Sequence, residues 1–387
     1  MRLAYYARLA VPDASPQISA ELEALAANLA SYFGATVQRL RVLASGWETT
    51  LYEFELRGNS ALLPGVETGV PLVLRFYPSI EAADKGALEY RTITYLAGAG
   101  YPVPRPYLFE PGGAAIGAPF MVMERLGGGP LFAIRAFPQA FKTFSMGFLG
   151  FVRAQTRLHR IGLTPFAREA PGTPASTDPL GLAKALEVDA HDRAQNGAAA
   201  HLLEHSLKTV TERVEQGPLP GLAAALERLR DRAAEFKDAP PSFLHLDYHP
   251  QNVLVDGFRV TGVIDWANAA VGDRHFDAAT TAVILSTSAM ERPRWMRDNV
   301  AGNNLRRTFN ALYLALLHAI APMDLRRLRY YQGLAGALRL SMLGMMRVRG
   351  PQSVGFRPGA ISEVTPMVLG LLGDYVSRKI GVPATVP

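Results

Sequence analysis

The residues best suited to chemistry form one short island, His245-Leu246-Asp247-Tyr248-His249-Pro250-Gln251-Asn252, with Asp265 following thirteen residues after Asn252. Val253-Leu254-Val255 reads as an apolar strand, Asp256-Gly257 as a hairpin turn, and Val260 to Ile264 as the return strand that delivers Asp265-Trp266. Two carboxylates and a carboxamide are therefore carried on a loop and its hairpin. Phosphoryl transfer asks for such a set: one carboxylate to meet an acceptor hydroxyl, and hard oxygen ligands to hold Mg²⁺ against phosphates. A second chemistry is open. His245, Asp247 and His249 alternate, so on a strand they would share a face and could ligate zinc, as in a metal-dependent hydrolase. That reading leaves Asn252 and Asp265 without a role, and Pro250 favours a loop.

His-x-Asp-x4-Asn is the spacing of a kinase catalytic loop. With Val263-Ile264-Asp265-Trp266 and Gly272-Asp273-x3-Asp277, the island resembles the signature of the aminoglycoside phosphotransferase and choline kinase-like superfamily. The resemblance implies a protein kinase-like α+β fold, with a small N-terminal β-sheet lobe bearing one helix and a larger, mainly helical C-terminal lobe. It implies that Asp247 orients or deprotonates the acceptor, that Asn252 and Asp265 hold Mg²⁺, and that Asp273 and Asp277 brace the loop. The expected activity is transfer of the γ-phosphoryl group of ATP or GTP to a small hydroxylated molecule; the alternative within this fold is a catalytically silent binding protein. His245 is expected to hold loop backbone through its ring nitrogens, and His159, in Arg157-Leu158-His159, to be a packed helical histidine.

The elements that must position these groups are legible in outline. Ser15-Pro16 starts a helix whose stripe, Ile18, Leu22, Leu25, Leu29 and Phe33, ends at Gly34. Strands are expected at Val37 to Leu43, Leu51 to Leu56 and Pro71 to Tyr77, a helix over Glu81 to Ala97, and two further strands ending at Met121-Val122-Met123. Ser45-Gly46-Trp47-Glu48 falls where a glycine-bearing turn over nucleotide phosphates should lie. Arg75 interrupts the third apolar strand: it is either an edge-strand arginine facing solvent or the phosphate-binding cation, with Glu89 as its partner and Glu81 and Asp84 as competing acids. Met123 and Glu124 would follow the fifth strand and receive the nucleotide base through their backbone, and Gly127 to Gly129 read as a hinge. Residues 1–126 are thus assigned to a nucleotide-binding lobe and 127–387 to a helical lobe carrying the catalytic loop and substrate site.

Composition fits this plan. Of 387 residues, 49% are hydrophobic and 19% charged, enough for two ordered cores. The absence of cysteine excludes disulfides, thiolate metal sites and a cysteine nucleophile. The net charge of +6 is dispersed, without the dense basic stripe of a nucleic-acid binder. Arg2 and Arg8 interrupt the N-terminus, which lacks a signal's apolar run, and Phe309 to Ala321 is too short to span a bilayer. A cytoplasmic protein with no membrane partner is expected. Leu312, Leu316, Leu317, Ile320, Leu334, Leu338 and Met342 are expected as core stripes, with Met345-Met346 filling gaps between helices. Pro171 to Pro179 and Gly217 to Gly221 read as loops, and the acceptor pocket is sought in 140–240, where Glu187, Asp189, Asp192, Glu204, Glu212 and Glu215 mix with bases.

Overall fold

The structure, a computed structural model, describes residues 16–46, 49–77, 82–113, 115–131, 146–163, 197–287 and 300–387. Ser15, Trp47, Glu48, Glu81, the 171–179 loop and the acids Glu187, Asp189 and Asp192 lie outside them. The chain divides into two compact units: residues 1–143 with 253–267, and 144–252 with 268–387.

In the first unit, α1 (Pro16–Phe33) precedes the strands β1 (Thr36–Ser45), β2 (Thr50–Arg57) and β3 (Pro71–Phe76), then α2 (Ala83–Gly98), β4 (Pro106–Glu110) and β5 (Phe120–Glu124). These five strands form an antiparallel sheet in the order β1-β2-β3-β5-β4, so β3 is central. The edge-strand reading of Arg75 is therefore corrected. Alternation along β3 sends Leu72 and Leu74 into a core with Leu29 and Phe33 of α1 and with Phe54, Phe120 and Val122. Arg75, one residue out of phase with them, belongs to the opposite face.

The unit is completed from far along the chain. β6 (Gly129–Pro130) follows β5; after β7 (Ser242–Leu244), which belongs to the second unit, the hairpin β8 (Val253–Asp256) and β9 (Arg259–Val263) pairs with β6. The 253–267 segment thus joins the first unit, whereas the sequence boundary at 126/127 had put it in the second. Gly128, at φ +89°, is needed for close approach: a Cβ there would lie 2.6 Å from the Val255 carbonyl oxygen. The glycines expected as a hinge serve this strand pairing.

In the second unit, β7 pairs with β10 (Ala270–Gly272). Among the described residues its α-helices are α3 (Phe148–Leu158), α4 (Gly197–Gln216), α5 (Ala223–Arg232), α6 (Arg274–Thr287), α7 (Val300–Ile320), α8 (Leu325–Arg349) and α9 (Pro366–Ile380). Asp324 caps α8 by accepting from the amides of Arg326 and Arg327. Tyr331, Leu334, Ala337, Leu340 and Leu343 bury this long helix, and α9 packs tightly along it: a Cβ on Gly336 would lie 2.7 Å from Val376. On α7, Tyr313 and Leu317 are buried, while Leu312, expected in the core, is exposed. Leu338 and Met342 on α8 are only half-buried, whereas Met345 and Met346 are fully inside.

Candidate functional site

β7 ends at Leu244 and feeds the polar loop directly out of a buried strand. His245 is fully buried, and its Nδ1 accepts from the Asp247 amide at 3.3 Å. Leu246 sits at φ +57°, a left-handed conformation that costs a branched residue about 1–2 kcal/mol. Something must hold it there. Asp277, in the first turn of α6, does so: Oδ1 accepts the amides of His245 (3.0 Å) and Leu246 (2.7 Å). Its Oδ2 accepts from Gln155 Nε2 at 2.9 Å and lies 2.8 Å from His159 Nε2. Burial pushes the Asp277 carboxyl up, but the hydrogen bond and charge of His159, the charge of His245 and the Gln155 amide outweigh it, leaving it below the usual range. His159 is thus a packed histidine whose partner is the loop's anchor.

Asp247 follows this anchored peptide. Asn252 Nδ2 donates to the Asp247 carbonyl (3.0 Å) and to Oδ2 (3.3 Å), so the carboxamide nitrogen is committed to Asp247. That leaves Asn252 Oδ1, a hard oxygen, as the atom of this side chain suited to a divalent cation. His249 Nε2 lies 3.6 Å from Asp247 Oδ2, and its Nδ1 is 2.9 Å from Gln251 Oε1. Among the described residues no group of three His, Cys, Asp or Glu side chains is arranged to hold a metal, and His245 spends its Nδ1 on loop backbone. Asp273 braces the unit elsewhere: it accepts from Arg327 at 2.9 Å and contacts His275 at 2.6 Å.

The first unit carries its own constellation. Arg75 is buried on central β3, with Nε 3.0 Å from Glu89 Oε2, an ion-pair contact rather than an aligned hydrogen bond. Its Nη2 donates to Asp265 Oδ1 at 2.8 Å. Glu89 also accepts from the Tyr77 hydroxyl (2.8 Å) and, at Oε1, from the Trp266 amide (3.2 Å). Gly86, one turn before Glu89, lets α2 approach this closely: a Cβ there would lie 2.6 Å from Phe109 and 3.0 Å from Tyr77. Burial, with the charge of Asp265, holds the Glu89 carboxyl above its ordinary range despite the pull of Arg75 and the hydrogen bonds. Burial also raises the Tyr77 phenol well above its ordinary value, so Tyr77 donates. Asp265, at φ +66°, has a partly exposed side chain. Its carboxylate is a hard oxygen donor of the kind Mg²⁺ prefers.

The remaining expected residues lie around the sheet. Ser45 ends β1 and pairs with Thr50, and the Gly46 amide donates to the Thr49 carbonyl at 2.9 Å. Met123 and Glu124 end β5, where the Glu124 amide donates to the Arg105 carbonyl at 2.8 Å. A nucleotide base would therefore have to use other backbone groups of this segment. Sequence pattern gave no sign of Tyr77, Gln155 or Tyr313. Each reads locally as a core residue; only the fold shows the polar partner.

The sheet-bearing unit, the mainly helical unit and the polar loop define a kinase-like phosphotransferase fold. The family model of the phosphotransferase enzyme family matches residues 39–331, and the chain belongs to that family. Among solved structures it is similar to a Ralstonia eutropha JMP134 protein assigned to the aminoglycoside phosphotransferases, at 17% identity and a TM-score of 0.57, covering 92% of this chain and 98% of that one. Aminoglycoside phosphotransferase APH(4)-Ia gives 17% identity and a TM-score of 0.56 over the same shares, and a thermostable mutant of it was solved with AMP-PNP and hygromycin B. Macrolide 2′-phosphotransferase type I gives 16% and 0.54, covering 97% and 99%. No curated protein matches in sequence.

Proposed function

We propose that this chain is a small-molecule kinase that moves the γ-phosphoryl group of ATP or GTP onto a substrate hydroxyl with Mg²⁺. The observation that carries the reading is the Asp247–Asn252 pair: a partly exposed carboxylate, fixed by the neighbouring carboxamide on an anchored loop. Asp247 accepts the proton of the acceptor hydroxyl as its oxygen attacks the γ-phosphorus, the bond from that phosphorus to the bridging oxygen breaks, and the nucleoside diphosphate leaves. Asn252 Oδ1 and Asp265 would hold Mg²⁺, which supplies neutralisation of phosphate charge. Arg75 orients Asp265 and, with Nε and Nη2 engaged, has Nη1 to offer to a phosphate oxygen. Glu89 fixes Arg75. Ser45 and Gly46 would cover the phosphates, and the backbone around Met123 and Glu124 would take the base.

The acceptor is best sought among hydroxylated antibiotics and metabolites, since structural relatives include aminoglycoside and macrolide phosphotransferases and one is bound to hygromycin B. AMP-PNP in that relative makes ATP the first donor to try. The test is a nucleotide-consumption screen over such acceptors, with Asp247→Asn as the blank. Acceptor-dependent diphosphate formation, absent from the blank, is expected. A blank as active as the wild type overturns the reading.

A further inference from the structure

The anchor of the catalytic loop is itself set from a distant helix. Gln155 on α3 is fully buried and uses both ends of its carboxamide. Nε2 donates to Asp277 Oδ2 (2.9 Å) and Thr281 Oγ1 (3.1 Å), and Oε1 accepts from the Tyr313 hydroxyl of α7 at 2.7 Å. Thr281 in turn donates to the carbonyl of Tyr248 at 2.8 Å. The network therefore grips the backbone on both sides of Asp247: the amides of His245 and Leu246 before it, and the carbonyl of Tyr248 after it.

One orientation of the Gln155 amide satisfies it, and the Tyr313 hydroxyl, which also lies 3.5 Å from the Ala278 carbonyl, has its shorter contact to Gln155. An ionised Asp277 can only accept, and Thr281 spends its single proton on Tyr248, so the end of Gln155 that faces both must be a donor. Nε2 must face them, which turns Oε1 towards Tyr313. A flipped amide would set Oε1 against a buried carboxylate. The Tyr313 phenol, kept protonated by burial, is the donor that makes the correct orientation the favourable one.

We propose that Tyr313 and Gln155 are positioning residues, whose hydrogen-bonded pair fixes the backbone one peptide away on either side of Asp247, so that turnover depends on a buried hydroxyl of α7. This rests on the reading of Asp247 as the group that meets the acceptor hydroxyl. Neither residue touches the reacting atoms.

The test is Tyr313→Phe, which removes one oxygen and keeps the ring. Two readouts are taken: steady-state ADP formation from ATP with Mg²⁺ and the acceptor found by the screen (or water, if none is found), and amide hydrogen exchange at Leu246 referred to Leu334 of α8. Turnover should fall about tenfold with KM for ATP within about twofold, as expected for a misplaced group rather than lost binding. Leu246 exchange should quicken about tenfold while Leu334 is unchanged, marking local release rather than general destabilisation. Gln155→Leu should behave alike, and the double variant should be no worse than either. Tyr375→Phe is the control, because the buried Tyr375 hydroxyl has no hydrogen-bond partner among the described residues; it should alter neither readout. Wild-type Leu246 exchange in Tyr313→Phe overturns the proposal, as does faster exchange with unchanged turnover. An Asp247→Asn enzyme as active as wild type instead overturns the assignment of Asp247, a result the exchange data do not depend on.

Discussion

Removing the Arg75 side chain tests the first unit's constellation most directly. Arg75 is 5% exposed and Glu89 2%, so Arg75→Met leaves a carboxylate in the interior with one phenol donor at 2.8 Å and one amide at 3.2 Å. Breaking a buried pair from one side typically costs about 3–5 kcal/mol. Protonation caps the loss. A carboxyl that folds neutral loses about 1.4 kcal/mol per pH unit above its usual value near 4.3, or about 3.7 kcal/mol at pH 7. Asp265, 41% exposed at its side chain, recovers water and adds little. Glu89→Gln should cost about 2 kcal/mol by orphaning the guanidinium on one side, and the double variant about 2 as well, so the coupling equals the Arg75→Met loss, about 3–3.7 kcal/mol, at or above the top of the usual 0.5–3 kcal/mol. The sign in pH follows from a folded-state Glu89 pKa raised above the unfolded one. Because Glu89 is already above its ordinary range in the wild type, the Arg75→Met deficit grows only above the wild-type folded pKa, where the variant's carboxyl stays protonated and the wild type's does not. Urea unfolding followed by Trp266 fluorescence, in a Trp47→Phe, Trp295→Phe background, reads this unit: Trp266 is buried, donates to the Val263 carbonyl and lies edge-on to Tyr101. Single-variant losses that add, or a deficit independent of pH, would refute the reasoning.

Further outcomes follow from the loop and its anchor. Asp247→Ala should lower turnover by roughly 10²-fold or more while nucleotide binding, followed by calorimetric titration, survives; near wild-type turnover on the true acceptor would sink the kinase assignment. Activity should require Mg²⁺ or Mn²⁺ and vanish on chelation, with Asn252→Leu raising the Mg²⁺ concentration for half-maximal rate by about tenfold; stoichiometric zinc released by His249→Ala would point to hydrolysis instead. Asp277 has a folded pKa below its unfolded one, so its stabilisation is present at neutral pH and is lost as pH falls below about 4. Asp277→Asn should therefore melt lower at pH 7 and show a shallower acid limb by calorimetry; an unchanged slope below pH 4 would count against the anchor.

What the sequence disclosed was local. Strand-like runs placed β2 and β3, and the end of β5, within a residue or two, and Asp256-Gly257 marked the hairpin one residue early, its turn being Gly257-Phe258, because such patterns depend on neighbours in the chain. The spacing of Asp247 and Asn252 was readable for the same reason, and the structure adds the hydrogen bond between them. Arg75 and Glu89 could be paired only through the resemblance to a family. That Arg75 also binds Asp265, 190 residues away, leaves no trace in local spacing. Gln155 and Tyr313 look like ordinary helix residues until α3, α6 and α7 are packed together. Leu312 shows the converse error: an apolar residue on a helical stripe is not buried unless another element covers it, and here it is exposed.

The hairpin that completes the first unit has a consequence for synthesis. A ribosome releases residues 1–143 long before 253–267, an interval on the order of ten seconds at about 5–20 residues per second. Throughout that interval β6 lacks β8, and Glu89 lacks the Trp266 amide and shares Arg75 with no Asp265. The nascent sheet must therefore wait, with one buried charge cluster incomplete, while the first helices of the other unit emerge. Its first unit can close only once residues 253–267 emerge, with 268–387 of the second still to be made, and severing it at 126/127 would yield a fragment whose missing strands no later folding can supply.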